Sequence, residues 1–444
     1  MRRETIALAG AAGLAGMFGL LVAFGASGAA VIFIVIFGFL LTASLGWAMR
    51  RPDDADWLPK WIVLGFLAKV IGTLGRYWMV QYLYGSGDSL RYYRVGTELA
   101  LQWRNGDIPS LVEGGALGTR IVEWITGAIF ALFTPDLLGG FLMFGILAFL
   151  GQLFVYAGFR HWAQPHQLKP FAFLILFLPT YAFWPSSIGK DALVTLALGA
   201  VAYAVARVLI AYQLRWVLIL GAGLIGLGMV RIHVAGLVVA ALGGAALFSK
   251  MRPGTEVTAR ARRALVLLGA AAAAVAALTL IPNILGIELT GSEDIDPFTT
   301  EIVRRTSESG TVASGGAVTG PADIPGAVAL VLFRPFIFEA REIQHLFAAA
   351  ETSLLLGIFL WKLPAIVRHL RDWRRNAYLV FCTFYVLGFG IAFSVIRNLG
   401  IIARQRGQVL AFFIAVVIGL GWEKRSPAAQ LKALTPAPAP SVQP

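Results

Sequence analysis

Residues 137–159 read LLGGFLMFGILAFLGQLFVYAGF, a run that contains no charged side chain. As a helix, this run is long enough to cross the roughly 30 Å hydrocarbon core of a bilayer. A helix is the expected structure because lipid offers the backbone no hydrogen-bond partner, so every N–H and C=O group must pair internally. The run therefore predicts a transmembrane helix.

The rest of the chain repeats this pattern. Of its 444 residues, 58% are hydrophobic and only 14% are charged, whereas about 25% are charged in a soluble domain. Apolar runs occur at 5–26, 28–49, 61–83, 119–134, 137–159, 170–187, 191–213, 215–230, 234–248, 263–282, 343–362, 377–396 and 408–422. We expect an all-α, polytopic transmembrane helical bundle over residues 1–425, embedded in the lipid bilayer, with an uncleaved first span and a disordered cytoplasmic tail at 426–444.

The net charge of +13 would suggest nucleic acid in a soluble protein. Here the basic residues gather in short loops, so they indicate topology instead and no nucleic-acid partner is expected. The basic segments are the MRR start, Arg50 and Arg51, 160–169, 250–263, 369–376 and 423–425. Placing them all in the cytoplasm requires about twelve spans, with one segment that does not cross. The short run 119–134 is the best candidate for a re-entrant or peripheral segment.

The opposite, extracytoplasmic face then receives the outer loops 84–118 and 283–342. The first of these contains GSGDSLRYYRVG at 85–96, with Asp88, Arg91 and Tyr92. Gly85 and Gly87 favour a tight turn after the preceding span. Two interpretations stay open: Asp88 is a functional carboxylate, or it is a helix cap beside an interfacial aromatic belt.

Two further breaks between apolar runs place charges on the same face. The first, LPTYAFWPSSIGKDALV at 178–194, brings Lys190 and Asp191 to the start of a helix. A lysine there opposes the helix dipole and needs an anionic partner, which is either Asp191 or a phosphate. The second, MVRIHVAG at 229–236, contains Arg231 and His233, which face a polar cavity or form an interfacial turn.

The late outer segments add more arginines. VLFRPFIFEAREIQHLF at 331–347 contains Arg334 and Glu339, and is either part of a site or a surface helix held by internal ion pairs. SVIRNLGIIARQRGQVL at 394–410 contains the remaining cations of the predicted site, Arg397, Arg404 and Arg406. Arginines on the outer face oppose the positive-inside bias, and guanidinium groups suit bidentate phosphate binding. Snorkelling to the membrane surface is the alternative.

Together these segments predict one site for an anionic, lipid-linked substrate. Cations would hold phosphate or pyrophosphate, and a carboxylate would act as general base. No nucleotide-binding motif and no zinc-type spacing is present in the sequence. No cofactor is predicted with certainty. A divalent cation stays open because outer-loop acids supply hard oxygen ligands.

The segments GDSLRYYRVG and PTYAFWPSSIGKDALVTLALGAVAYAVAR resemble the GT-C superfamily of membrane glycosyltransferases. RPFIFEAREI and NLGIIARQRG resemble bacterial surface-polysaccharide polymerases and ligases. The resemblance implies a bacterial inner-membrane enzyme, and direct displacement with a single general base would invert the anomeric carbon of the sugar. It also implies a polyprenyl-phosphate or polyprenyl-pyrophosphate sugar donor, a glycan acceptor, and Asp88 and Asp191 as catalytic carboxylates. Ser89 stands where that superfamily has a second acid.

A transporter or flippase for a lipid-linked glycan is the competing hypothesis, favoured by Lys69 and Arg76 inside the run 61–83. An assembly subunit without chemistry is the third.

Overall fold

The computed structural model describes residues 29–85, 87–109, 111, 117–132, 135–211, 213–249, 321–340, 343–396 and 398–422. The predicted spans 5–26 and 263–282, most of the predicted loop 283–342 and the predicted tail 426–444 lie outside these residues. Every regular element in the described part of the chain is helical, as predicted.

The α-helices are α1 (Ala29–Met49), α2 (Leu58–Trp78), α3 (Asp88–Arg104), α4 (Leu117–Leu132), α5 (Leu137–Phe159), α6 (Pro165–Phe177), α7 (Pro179–Phe183), α8 (Lys190–Val208), α9 (Leu214–Phe248), α10 (Ile324–Phe333), α11 (Ile343–His369), α12 (Ala377–Phe393), α13 (Leu399–Gln405) and α14 (Gly407–Gly421). A π-helical turn, Met79–Tyr84, extends α2. Short 3-10 turns lie at Pro321–Asp323, Ile337–Glu339 and Trp373–Arg375.

Six described helices are long and apolar enough to cross a membrane when α9 is counted as one helix, or seven if the bent pair α13 and α14 forms one span. The predicted number of about twelve is therefore not confirmed within the described residues. One reason is that the predicted run 170–187 is broken at Leu178, whose ψ of 132° separates α6 from α7. Large apolar side chains such as Phe33, Leu64 and Ile225 remain exposed around the bundle, as expected of helices that face lipid.

Hydrogen bonds tie the described basic loops together at one end of the bundle. They join Arg160 Nη1 to the Met49 carbonyl (2.5 Å), Asn376 Nδ2 to the Trp162 carbonyl (3.4 Å), His166 Nε2 to the Trp422 carbonyl (2.8 Å) and Arg374 Nε to the Phe248 carbonyl (2.7 Å). We call this end, formed by the loops 50–51, 160–169 and 369–376, the basic end. One-sided basic loops are what the positive-inside rule predicts.

Helix α9 turns back on itself. It begins at the basic end, where Trp216 stacks under Arg207 of the last turn of α8 (4.6 Å). Its middle residue, Arg231, is non-helical (φ −149°, ψ 88°) and pairs with Asp191 at the other end of α8 (2.7 Å). Its last residue, bonded to Arg374, is again at the basic end. Arg231 is therefore the apex of a helical hairpin, which agrees with the predicted turn at 231–233.

Helix α4 stays at the end opposite the basic loops, which we call the site end. A Cβ atom on Gly118 would lie 2.5 Å from the Val230 carbonyl, beside the apex of α9. The other end of α4 precedes Asp136, which caps the start of α5 through the Gly139 N–H (2.6 Å). Both ends of α4 (Leu117–Leu132) therefore lie at the site end, which is what a re-entrant or peripheral segment would show; residues 133–134 of the predicted run lie outside the described residues.

Two buried charges bind the backbone of the short helix α7. Lys69 Nζ donates to the Tyr181 carbonyl (2.7 Å). Glu351 Oε2 accepts from the Thr180 N–H (2.9 Å) and from its hydroxyl (3.0 Å). A broken helix leaves backbone groups without helical partners, and these two side chains supply replacements. They fix the direction in which the chain approaches Lys190.

Candidate functional site

A cavity of about 230 Å³ opens at the site end. It is lined by Arg76, Val80, Tyr84, Gly87, Asp88, Ser89 and Arg404. One carboxylate therefore shares the cavity with two guanidinium groups from separate helices. The sequence pattern predicted that Asp88 and Arg404 belong to one site, and the structure places both in this lining.

The turn that presents Asp88 depends on glycine. Gly85 has a φ of 62° and Gly87 a φ of 130°, both in the region that other residues rarely adopt. Asp88 is the first residue of α3 and is exposed to the cavity. Both glycines therefore have backbone conformations that suit the predicted tight turn.

Arg76 enters the cavity from α2. Only 8% of this residue is exposed, and its Nε and Nη1 atoms have no hydrogen-bond partner among the described residues. Its guanidinium lies over the rings of Phe183 (5.4 Å) and Trp184 (5.2 Å). Burying a guanidinium group whose N–H donors have no partner costs free energy of folding, unless a bound anion accepts from those donors. Sequence reasoning noted Arg76 only as a mid-span charge, although a cation inside an apolar run is itself a signal for a site.

Close helix packing sets the position of Arg76. A Cβ atom on Gly72, one turn earlier, would lie 2.1 Å from the Ala182 carbonyl. Only glycine at position 72 lets α2 approach the chain after Pro179 this closely. This contact brings Arg76 against the aromatic pair Phe183 and Trp184.

Asp191 holds two arginines in place. Its Oδ1 atom pairs with Arg231 Nη2 at 2.7 Å, and its Oδ2 atom pairs with Arg404 Nε. Arg231 also donates to the Gln405 side chain, which sequence reasoning did not identify. With both carboxylate oxygens engaged, Asp191 is a poor general base and a good positioning group for Arg404.

Lys190 adds a fourth positive charge to the site. It is partly buried at the first residue of α8, within electrostatic range of Asp88, Asp191 and Arg404. The four cations Arg76, Lys190, Arg231 and Arg404 face the two carboxylates Asp88 and Asp191, a formal excess of two positive charges. That excess would attract an anion.

Arg91 and Tyr92 lie on α3 beyond the cavity lining. Arg91 is largely exposed and pairs with the buried Glu123 (3.4 Å). Tyr92 is 3% exposed. Burial, and secondarily the charge of Asp88, raises the pKa of Tyr92 to about 12, so its phenol stays protonated at neutral pH.

Three other predicted site residues form a separate cluster, in which the two arginines are buried. Arg334 Nη2 pairs with Glu339 Oε1 (2.6 Å), and Arg406 Nη1 donates to the Arg334 carbonyl (2.6 Å). Arg406 is fully buried, and none of the three lines the cavity. Arg404 and Arg406 point to different places because a 58° bend separates α13 from α14.

Two predicted residues are not part of either group. His233 is exposed, with its ring 5.7 Å from that of Phe393. Arg397 lies outside the described residues. Among the described residues, no group of three or more His, Cys, Asp or Glu side chains is placed to hold a metal ion.

Comparisons with known proteins give no relative. No protein-family model, curated protein or solved structure matches the chain.

Proposed function

We propose that this protein is a membrane glycosyltransferase or polysaccharide polymerase of the bacterial inner membrane. In this proposal it transfers a sugar from a polyprenyl-linked donor to a glycan acceptor, in cell-envelope glycan synthesis. The observation that carries the proposal is the shared cavity, whose lining contains Asp88 together with Arg76 and Arg404. The positive-inside rule assigns the basic end to the cytoplasm, so this cavity faces the extracytoplasmic side.

In this reaction the carboxylate and the guanidinium groups have different roles. Asp88 takes the proton of the acceptor hydroxyl, whose oxygen attacks the anomeric carbon. The bond from that carbon to the lipid phosphate oxygen breaks, and its electron pair leaves with the phosphate. Arg76 and Arg404 stabilise the departing phosphate, and Asp191 keeps Arg404 oriented. A single direct displacement inverts the anomeric carbon.

The test is sugar transfer from a purified polyprenyl-phosphate or polyprenyl-pyrophosphate donor, measured in detergent. We expect Asp88→Asn to lower kcat by a factor of about 100 or more, in the range of general-base contributions. Asp107→Asn is the matched control, since Asp107 is an exposed carboxylate of the same loop outside the cavity lining. Full transfer by Asp88→Asn, or equal losses in both variants, would exclude Asp88 as the base.

A transporter or flippase is the second candidate, and Lys69 is the observation in its favour. Lys69 is 2% exposed inside α2, and buried charges often mark transport pathways. Its bond to Tyr181, together with that of Glu351 to Thr180, gives both charges a role in holding α7. We expect Lys69→Met to lower Tm, because the bond to α7 is lost, while the folded variant still transfers sugar in detergent, because Lys69 does not line the cavity. Loss of lipid-linked glycan translocation in vesicles, with no transfer activity in the wild type, would favour the flippase.

A further inference from the structure

A second, much smaller cavity lies between the helices, and it shares no lining residue with the cavity of Asp88. Helices α5, α6, α7, α8 and α14 contribute to its wall, with Gln152, Tyr181, Thr195 and Gln408 as its polar side chains. Thr195 is one helical turn from Asp191 and donates to its carbonyl (2.8 Å). The volume of about 10 Å³ is close to what a single water molecule requires.

Three of the lining side chains have a polar atom without a partner. Gln152 Oε1, Gln408 Oε1 and the Tyr181 hydroxyl make no hydrogen bond to any described residue. The three residues are only 2%, 5% and 3% exposed. A buried polar atom without a partner costs free energy of folding, so atoms of this kind in a small cavity indicate a bound polar molecule.

The donors and acceptors match one water molecule. Gln152 Nε2 donates to the Ile175 carbonyl (3.0 Å), and Gln408 Nε2 donates to the Gln405 side chain. Both amide nitrogens are therefore engaged, and the two amide oxygens are left as acceptors. A water molecule has two hydrogens for these oxygens, and its own oxygen accepts from the Tyr181 hydroxyl. Buried waters make about three such bonds.

The surroundings favour water over a metal cation, although oxygen atoms also bind cations. No described residue that lines the cavity is a carboxylate. Lys69 Nζ donates to the Tyr181 carbonyl (2.7 Å), which places a positive charge beside the cavity. A second positive charge, that of Arg231, binds the same Gln405 side chain as Gln408. Like charges at such short range oppose a bound cation.

We propose that this cavity binds one water molecule, which donates to Gln152 Oε1 and Gln408 Oε1 and accepts from the Tyr181 hydroxyl. The water joins α5, α7 and α14. It does so where α14 begins, because Gly407, the first residue of that helix, also lines the cavity. The bound water therefore stabilises the start of α14, directly after its 58° bend from α13.

The water also extends a hydrogen-bonded chain that starts at the charged site. Asp191 pairs with Arg231 (2.7 Å), and Arg231 donates to the Gln405 side chain. Gln408 donates to the same Gln405 oxygen, and the water continues the chain from Gln408 to α5 and α7. The proposal does not depend on sugar transfer.

The first test compares two tyrosine-to-phenylalanine variants of the full chain in detergent, by thermal unfolding. Tyr181→Phe should lower Tm, because the water loses its hydrogen-bond donor. Tyr385→Phe is the matched control: the Tyr385 hydroxyl is also buried without a partner among the described residues, but Tyr385 does not line this cavity. Its removal should leave Tm unchanged or raise it. Equal losses in both variants, or no loss in Tyr181→Phe, would overturn the proposal.

The second test is a double-mutant cycle of Tyr181→Phe with Gln152→Leu. Both changes remove a bond to the same water, so the double variant should lose less free energy of unfolding than the sum of the single losses. The bond of Gln152 to the Ile175 carbonyl is lost in both Gln152 variants and cancels. Additive losses would show that the two side chains share no bound molecule. Gln408→Leu serves in the same cycle if Gln152→Leu does not fold.

Two further measurements identify the occupant. A high-resolution cryo-EM map should show one peak within hydrogen-bond distance of the three atoms, and an empty cavity in a map that resolves other buried waters would exclude the site. Exchange of choline chloride for sodium chloride should leave Tm unchanged. A rise in Tm with sodium that Gln152→Leu abolishes would identify a sodium ion in place of water and overturn the proposal.

Discussion

Asp191 Oδ1 lies 2.7 Å from Arg231 Nη2, and this pair joins the start of α8 to the apex of the α9 hairpin. The partners are 40 residues apart in sequence. The same carboxylate binds Arg404 of α13 through its other oxygen. Three helices therefore meet at one carboxylate, directly behind the cavity that contains Asp88.

Removal of that carboxylate should destabilise the bundle. Asp191→Asn leaves the buried Arg231 without its ionic partner, and breaking a buried pair on one side costs about 3–5 kcal/mol. We expect a clear loss in the free energy of unfolding, measured by denaturant titration in detergent micelles. Asp136→Asn is the control, because Asp136 is a helix cap at the same end and asparagine caps a helix about as well as aspartate, so this change should cost little. Similar losses in the two variants would contradict a central role for Asp191.

Arg76 should determine the affinity for the donor phosphate. Arg76→Gln removes a buried guanidinium with unused donors, and hydrogen bonds to a charged group are worth about 1.5–3 kcal/mol. We expect the donor Kd to rise about tenfold to a hundredfold. Arg76→Lys should recover part of this loss, because it restores the charge without the planar fork. Arg50→Gln, at the basic end, should leave Kd unchanged; an unchanged Kd in Arg76→Gln would place the phosphate elsewhere.

Two glycines one turn apart on α2 should respond in opposite ways. Gly72→Ala forces a Cβ atom into the Ala182 carbonyl, and overpacking of this kind costs about 1–3 kcal/mol. Gly75→Ala meets nothing closer than Phe183 Cε2 at 4.0 Å, so the higher helix propensity of alanine should dominate. Thermal unfolding of the two variants tests the difference. A higher Tm for Gly72→Ala would show that α2 and α7 are not in the contact described.

The turn before α3 should affect activity more than stability. At Gly87 (φ 130°, ψ 173°) any side chain costs about 1–3 kcal/mol of local strain. Relief of that strain would displace Asp88, so kcat of Gly87→Ala should fall. Gly221→Ala, at an open position inside α9, should keep full kcat. Equal kcat values in both variants would mean that the turn does not position Asp88.

Much of the topology could be predicted from the sequence because each element carries its own signal. The basic loops and the apex at Arg231 follow from hydropathy and charge, which act locally along the chain. The twelve-span count is not confirmed, because the run 170–187 is broken at Leu178 and two predicted spans lie outside the described residues.

By itself, the sequence determined that this protein is a bundle of apolar helices with basic loops at one end, and that Asp88, Asp191, Arg231 and Arg404 gather at the other. The length of the apolar runs and the charge of the loops are sufficient for that, because the thickness of the bilayer sets the first and the positive-inside bias sets the second. Only the tertiary structure decided which of the predicted cations line the cavity and which lie elsewhere. Arg404 lines the cavity, whereas Arg406, two residues later, bonds to the Arg334 carbonyl, because the bend between α13 and α14 turns them apart. It also brought Arg76 into the cavity, since the closeness of two helix backbones at Gly72 is a property of packing that no local pattern records.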